Sequence, residues 1–118
     1  MKTAHSDIVI ALTTTDSRES AQKIAAFLVQ EHVVACVNII PGISSVYYWQ
    51  GKVVSEDEHL LVIKTTRARA ETIKSRLSEI HHYQVPELVI LPVIDGLPDY
   101  LNWVEETVAI HKPETATD

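Results

Sequence analysis

Cysteine, glycine and proline are scarce in this chain, and their scarcity narrows the class of protein. Among 118 residues there are three glycines, five prolines and one cysteine. This composition, with 46% hydrophobic residues, excludes a disordered, collagen-like or low-complexity protein. Because Cys36 has no second cysteine as a partner, an intrachain disulfide is excluded. A single thiol is typical of a reducing compartment, so we expect a cytoplasmic protein.

Long apolar runs and an excess of positive charge are also missing. The longest apolar run, residues 88–94, contains Pro92 and is far shorter than the roughly 20 residues of a membrane-spanning helix. The apolar residues 8–12 are not followed by a small-residue cleavage site, so a secretory signal is not indicated. The net charge of −6 argues against nucleic-acid binding. We therefore expect neither a membrane nor a nucleic acid as a partner.

Hydrophobic periodicity predicts a single domain over residues 1–118, with frayed tails at 1–6 and 112–118. Strands are predicted at 7–14, 33–40, 43–49, 52–55, 59–65 and 87–93. Helices are predicted at 17–32, 70–81 and 98–108. The last helix begins at Pro98, since proline is well tolerated in a first turn.

Local signals define the boundaries of these elements. Asp16 and Glu19 have the spacing of a capping box at the start of the first helix. The Pro-Gly pair at 41–42 predicts the end of the second strand. The Gln-Gly pair at 50–51 predicts a two-residue hairpin turn. The three acidic residues at 56–58 predict a solvated turn before the next strand.

The order of the elements predicts an α+β fold with ferredoxin-like, split β-α-β topology, in which helices cover one face of an antiparallel sheet. A hairpin and a C-terminal helix are added to this plan. The alternative is a doubly wound parallel sheet. It is the weaker prediction because a hairpin joins the second and third long strands, and strands joined in this way are antiparallel.

Both faces of the predicted sheet are largely apolar, although helices on one side require only one apolar face. In the first strand, for example, Ile8, Ile10 and Leu12 alternate with Val9 and Ala11. A bare second face would expose roughly several hundred Å² of apolar surface. Covering it is worth on the order of ten kcal/mol before association costs. We therefore expect an obligate homo-oligomer; the alternative is that the terminal helix covers the second face.

Three motifs occur in a familiar order. Residues 35–47 read ACVNIIPGISSVY and are followed by WQGK at 49–52; HHYQVPEL at 81–88 precedes LPV at 91–93; PDYLNW occupies 98–103. Over about residues 7–110, the chain resembles the CutA family of divalent-cation tolerance proteins. The resemblance implies a ferredoxin-like subunit in a tight homotrimer, similar to the P-II signalling proteins. The number three comes from the resemblance alone.

The resemblance also implies copper binding by Cys36, His81 and His82, with copper or another divalent cation as ligand and no obligatory cofactor. Thiolate and imidazole suit copper or zinc. The family usually has His-Pro-Tyr where this chain has His-His-Tyr, so His82 stands in the proline position. Adjacent side chains diverge, which disfavours one ion between the two histidines. The alternatives are a buried structural Cys36 and histidines that cap a helix or bond across an interface.

A second group that matches the family is Trp49, Lys64, Tyr83 and Glu87. The charged members are expected either to pair across an interface or to line an inter-subunit cleft. In the second case the ligand would be a small anion or zwitterion, held between aromatic walls. No glycine-rich phosphate loop is present, which disfavours ATP as the ligand.

No acid–base pair or activated nucleophile stands out in the sequence, so we expect a protein that is not an enzyme. Two functions remain open. The first is a metal-responsive trimer that binds copper or a related ion and affects tolerance to it. The second is a signalling or scaffold trimer that binds a small-molecule effector and meets a protein partner.

Overall fold

The computed structural model describes residues 7–110, so the predicted tails at 1–6 and 112–118 lie outside the described residues. The described chain forms β1 (Ile8–Thr15), α1 (Arg18–Gln30), β2 (Cys36–Trp49), β3 (Lys52–Thr66), a 3-10 turn (Arg67–Arg69), α2 (Ala70–Ile80), β4 (Val89–Pro92) and α3 (Pro98–Val108). The strands form one sheet in the order β2-β3-β1-β4, and every neighbouring pair is antiparallel. The predicted ferredoxin-like α+β fold is confirmed, and the parallel alternative is wrong.

The second strand does not end at the Pro-Gly pair, contrary to the prediction. β2 and β3 are continuous strands of 14 and 15 residues. Their register shifts between Ile40 and Ile43, where Gly42 has a φ of +70°. A bulge leaves one residue out of the ladder, so it accepts a proline without an N–H and a glycine in a left-handed conformation. The pair therefore bends the strand and does not interrupt it.

Beyond this bulge the two strands form a ribbon, residues 43–58, which we call the hairpin arm. β1 pairs with β3 only from His59 onward, so the arm has no strand partner besides itself among the described residues. The predicted turn at its tip is present, with positive φ at both Gln50 and Gly51. The predicted acidic turn at 56–58 is wrong, because these residues lie within β3. The pleat places Glu56 and Glu58 on the same face.

The helices begin and end close to their predicted positions, with one change of cap. The hydroxyl of Ser17 accepts a hydrogen bond from the Ser20 amide at 3.0 Å and caps α1. Asp16 is therefore not the cap; its carboxylate instead lies 3.0 Å from a ring nitrogen of His82. Pro98 begins α3 as predicted. β4 has only four residues, fewer than predicted.

Helices cover most of one face of the sheet and a smaller part of the other. Helices α1 and α2 cover the first face, whose core includes Ala11, Ile24, Leu28, Leu61, Ile63, Ile73 and Leu77. Helix α3 packs over one end of the second face, against Ile8 and Ala35. Towards the other end, Ile40, Val89 and Leu91 each keep 44% of their surface exposed. The terminal helix therefore covers only part of the second face, and we call the remainder the open face.

Candidate functional site

The segment that follows α2 turns over the end of β1 and is held there by His81, which is buried. One ring nitrogen, Nε2, lies 2.7 Å from the Thr14 carbonyl oxygen. The other, Nδ1, accepts a hydrogen bond from the Tyr83 amide at 3.1 Å. A carbonyl only accepts and an amide N–H only donates, so a neutral ring with its proton on Nε2 satisfies both partners. Both ring nitrogens are therefore in use.

His81 thereby positions Tyr83, whose hydroxyl donates to the Glu58 carboxylate at 2.6 Å. Glu58 is only 5% exposed, so its carboxylate is largely shielded from water and this bond supplies it with a hydrogen-bond donor. Burial, and next the hydrogen bond to Glu58, raise the pKa of Tyr83 well above its usual value. The hydroxyl consequently keeps its proton and continues to donate. On the arm, Tyr47 donates to Glu56 at 2.8 Å in the same way.

These side chains surround a cavity of about 630 Å³ between the hairpin arm and residues 83–87, which we call the Tyr83 pocket. Its chemically distinctive walls are three aromatic rings and three carboxylates: Tyr47, Trp49, Tyr83, Glu56, Glu58 and Glu87. Among the residues 7–110 that the structure describes, no lysine, arginine or histidine lines it. The pocket is therefore aromatic and acidic.

Three of the four residues predicted to line a ligand cleft lie together in this pocket: Trp49, Tyr83 and Glu87. Lys64 does not. It lies on the second face of the sheet, opposite Cys36, and its ammonium group donates to the Asn38 side chain. That Trp49, Tyr83 and Glu87 bind a ligand stays a prediction.

Sequence reasoning missed the pocket residues Tyr47, Glu56 and Glu58. The acidic run at 56–58 resembles a solvated turn, and only its place in β3 directs two of the carboxylates to one face. Residues 55–58 are all polar, so no alternation of apolar and polar residues marks this part of β3 in the sequence.

The predicted metal ligands are distributed over two parts of the chain. Cys36 is half-buried at the start of β2, next to Tyr100, whose pKa is raised by burial and by the thiol. His81 bonds to the backbone of Thr14, which lies two strands across the sheet and four residues along it from the backbone of Cys36. The distance between these two backbone positions is about 16 Å. Among residues 7–110, no three His, Cys, Asp or Glu side chains are close enough together to hold a metal ion.

The three predicted ligands therefore do not fit a single ion within one chain. His81 has no free ring nitrogen, and the Nε2 atom of His82 lies 3.0 Å from Asp16. The rings of His81 and His82 are 5.6 Å apart between centroids. That these residues bind copper stays a prediction from the family resemblance.

Tyr83→Phe is expected to lower the free energy of unfolding by about 1–3 kcal/mol, because it leaves the Glu58 carboxylate buried without its donor. Denaturant titration measures the change. Tyr47→Phe removes the equivalent hydroxyl from Glu56 in an exposed position and is expected to cost clearly less. Equal losses in the two variants would contradict a buried structural role for the Tyr83 bond.

The topology and the pocket together define a class: a small ferredoxin-like α+β protein with an acidic, aromatic pocket beside a partly open sheet. The family described as "CutA1 divalent ion tolerance protein" matches residues 9–107. The chain belongs to this family. In the described part of the chain, none of the helices has the length and apolar character needed to cross a bilayer.

Relatives of known name and structure agree with this assignment. "Divalent-cation tolerance protein CutA" of Thermus thermophilus is 46% identical over 97 residues, 82% of this chain and 94% of that protein. "Protein CutA, chloroplastic" of Arabidopsis thaliana is 42% identical over 99 residues, 84% of this chain but only 54% of that protein. The crystal structure of CutA from Xylella fastidiosa has a TM-score of 0.85 at 38% identity, covering 87% of this chain and 99% of that one.

Proposed function

We propose that this chain forms a homotrimer that contributes to divalent-cation tolerance by binding a small molecule in the Tyr83 pocket, without catalysing a reaction. The pocket is the observation that carries the proposal. Its volume of about 630 Å³ is typical of small-molecule sites. Hydrogen bonds from His81 to Thr14 and from Tyr83 to Glu58 hold its wall in place. The unpaired Cys36 supports a reducing compartment such as the cytoplasm.

The open face supports the homotrimer. Ile40, Val89 and Leu91 lie there with 44% of their surface exposed, beside the half-buried Leu12 and Val62. A contiguous apolar surface of this kind marks an interface more often than a free surface. The trimeric number is taken from the family resemblance.

The hairpin arm supports the same assembly. Val46, Tyr48 and Val53 on the arm are 67%, 72% and 73% exposed, and the arm extends beyond the four-stranded sheet. An exposed apolar ribbon promotes aggregation of an isolated chain, so we expect a neighbouring subunit to pack against it.

Copper binding by Cys36, His81 and His82 is the alternative, and it has less support from the geometry. A site made from all three would need ligands from different subunits or a rearrangement that frees a nitrogen of His81. The first route depends on the same trimer. Trimer formation therefore does not distinguish ligand binding in the pocket from copper binding, and variants of individual residues are needed.

Growth across a copper series tests the proposal, in a strain that lacks its own family member and carries this chain. The wild-type chain and Glu71→Gln, on the outside of α2 and paired with Lys74, are expected to restore growth at raised copper. Glu58→Gln, which changes the pocket, is expected not to restore it at equal protein level. Full rescue by Glu58→Gln together with failure of Cys36→Ala would contradict the pocket proposal and favour the metal site.

A further inference from the structure

We infer that the Tyr83 pocket takes an organic cation with N–H donors, an amine or a guanidine, and not the small anion or zwitterion that the sequence suggests. The inference rests on the proposed binding function of this pocket and adds the chemical class of the ligand. Three observations carry it: the sign of the charge, the balance of donors and acceptors, and the aromatic walls.

The charge of the pocket is negative. Glu56, Glu58 and Glu87 line it, and among the residues described no basic side chain of the same chain does so. Lys64, which was expected to attract an anion, lies six residues or about 20 Å along β3 from Glu58, with Asn38 as its partner. Glu58 is nine-tenths buried, and Coulomb interactions strengthen where water is excluded. An anion would therefore be repelled, and a cation attracted.

The polar atoms of the pocket have a surplus of acceptors. The hydroxyl protons of Tyr47 and Tyr83 already point at Glu56 and Glu58. Each of these carboxylates has a second oxygen, and a carboxylate oxygen only accepts. A ligand that donates hydrogen bonds complements this arrangement. A quaternary ammonium ion has the charge but no N–H to donate, so the arrangement favours a protonated amine or guanidine.

The aromatic walls and the volume distinguish an organic cation from a bare metal ion. Trp49 and Tyr83 line the pocket, and aromatic rings of this kind attract organic cations. A cavity of about 630 Å³ far exceeds the space of one metal ion. The carboxylates also do not form a metal-binding trio, since residues 7–110 contain no such group.

An NMR titration of the full chain in its native assembly tests the inference with three probes: butylammonium, butanol and butyrate. Each has four carbon atoms in an unbranched chain, and they differ in charge. Butylammonium is expected to bind with shifts at the Trp49 indole, more tightly than butanol, and butyrate is expected not to bind. Glu58→Gln keeps the shape and an oxygen for Tyr83 but removes the charge, so it is expected to weaken butylammonium binding about tenfold or more.

Two further variants complete the experiment. Glu71→Gln removes a carboxylate outside the pocket and is expected to bind butylammonium as the wild type does. Trp49→Leu, followed through the backbone amides of the other pocket residues, is expected to weaken binding about threefold or more, which gives a second readout if Glu58→Gln does not fold. Tighter binding of butyrate, or no loss in either pocket variant, would overturn the cationic class. Growth on copper reports separately on the proposed function, so the two failures are distinguishable.

Discussion

Val89→Lys is expected to dissociate the assembly into single chains, with an increase in the dissociation constant of about a thousandfold or more, or roughly 4 kcal/mol. Val89 lies on β4 in register with Leu12, on the open face of the sheet, where 44% of its surface is exposed in a single chain. If other subunits cover this face, each lysine is carried into an apolar interface without a counter-charge. Sedimentation velocity across a dilution series measures the change.

Val29 provides a matched control for this variant. It is also a valine, its exposure of 40% is nearly the same, and it lies near the end of α1 on the other side of the sheet. Val29→Lys is expected to change stability by no more than about 0.5 kcal/mol and to leave the assembly intact. Equal behaviour of the two variants would show that the open face is not an interface.

His81→Ala is expected to lower the free energy of unfolding by about 2–4 kcal/mol. The change removes a buried ring, its hydrogen bond to the Thr14 carbonyl and its acceptor for the Tyr83 amide. Both backbone groups lose a partner, and a cavity replaces the imidazole. Because this ring positions Tyr83, the bond between Tyr83 and Glu58 is expected to weaken as well. Denaturant titration measures the loss.

His82→Ala is the matched control for His81→Ala, because it removes the same side chain one residue further along the chain. His82 is about half exposed and pairs with Asp16, so His82→Ala is expected to cost no more than about 1 kcal/mol. Titration of both variants with Cu(II) separates structure from metal binding. We expect folded His81→Ala to bind copper as the wild type does, since no ring nitrogen of His81 is free. A large loss of copper affinity with little loss of stability would contradict the structural role of His81.

The fold was predictable because its hydrophobic pattern and turn chemistry agree. Pro98 begins α3, the turn at 50–51 joins β2 to β3, and the two-faced strands indicate more apolar surface than two helices can cover. Local signals failed where tertiary pairing outweighed them. The Pro-Gly pair at 41–42 is accommodated as a bulge because β3 supplies a continuous partner.

The candidate site was predictable only in part. Trp49, Tyr83 and Glu87 come from the family resemblance, and the structure brings these three together. The charge of the pocket was not predictable. It depends on Glu58, which reaches the pocket only because residues 56–58 continue the pleat of β3, whereas Lys64, on the same face of β3, lies six residues or about 20 Å further along the strand, opposite Cys36.

The pocket and the open face adjoin along the chain. Glu87 lines the pocket, its carbonyl accepts from the Thr13 hydroxyl at 2.7 Å, and Val89 begins β4 on the open face two residues later. Variants of either site are best compared in both assays.

The proposed assembly depends on one property of the single chain: the open face of its sheet exposes more apolar surface than its own helices cover. The mass of the particle in solution tests it most directly, measured by sedimentation equilibrium down to low concentration. We expect a particle of three times the 13.2 kDa chain mass at every concentration in that series. A stable, folded particle of 13.2 kDa would contradict it.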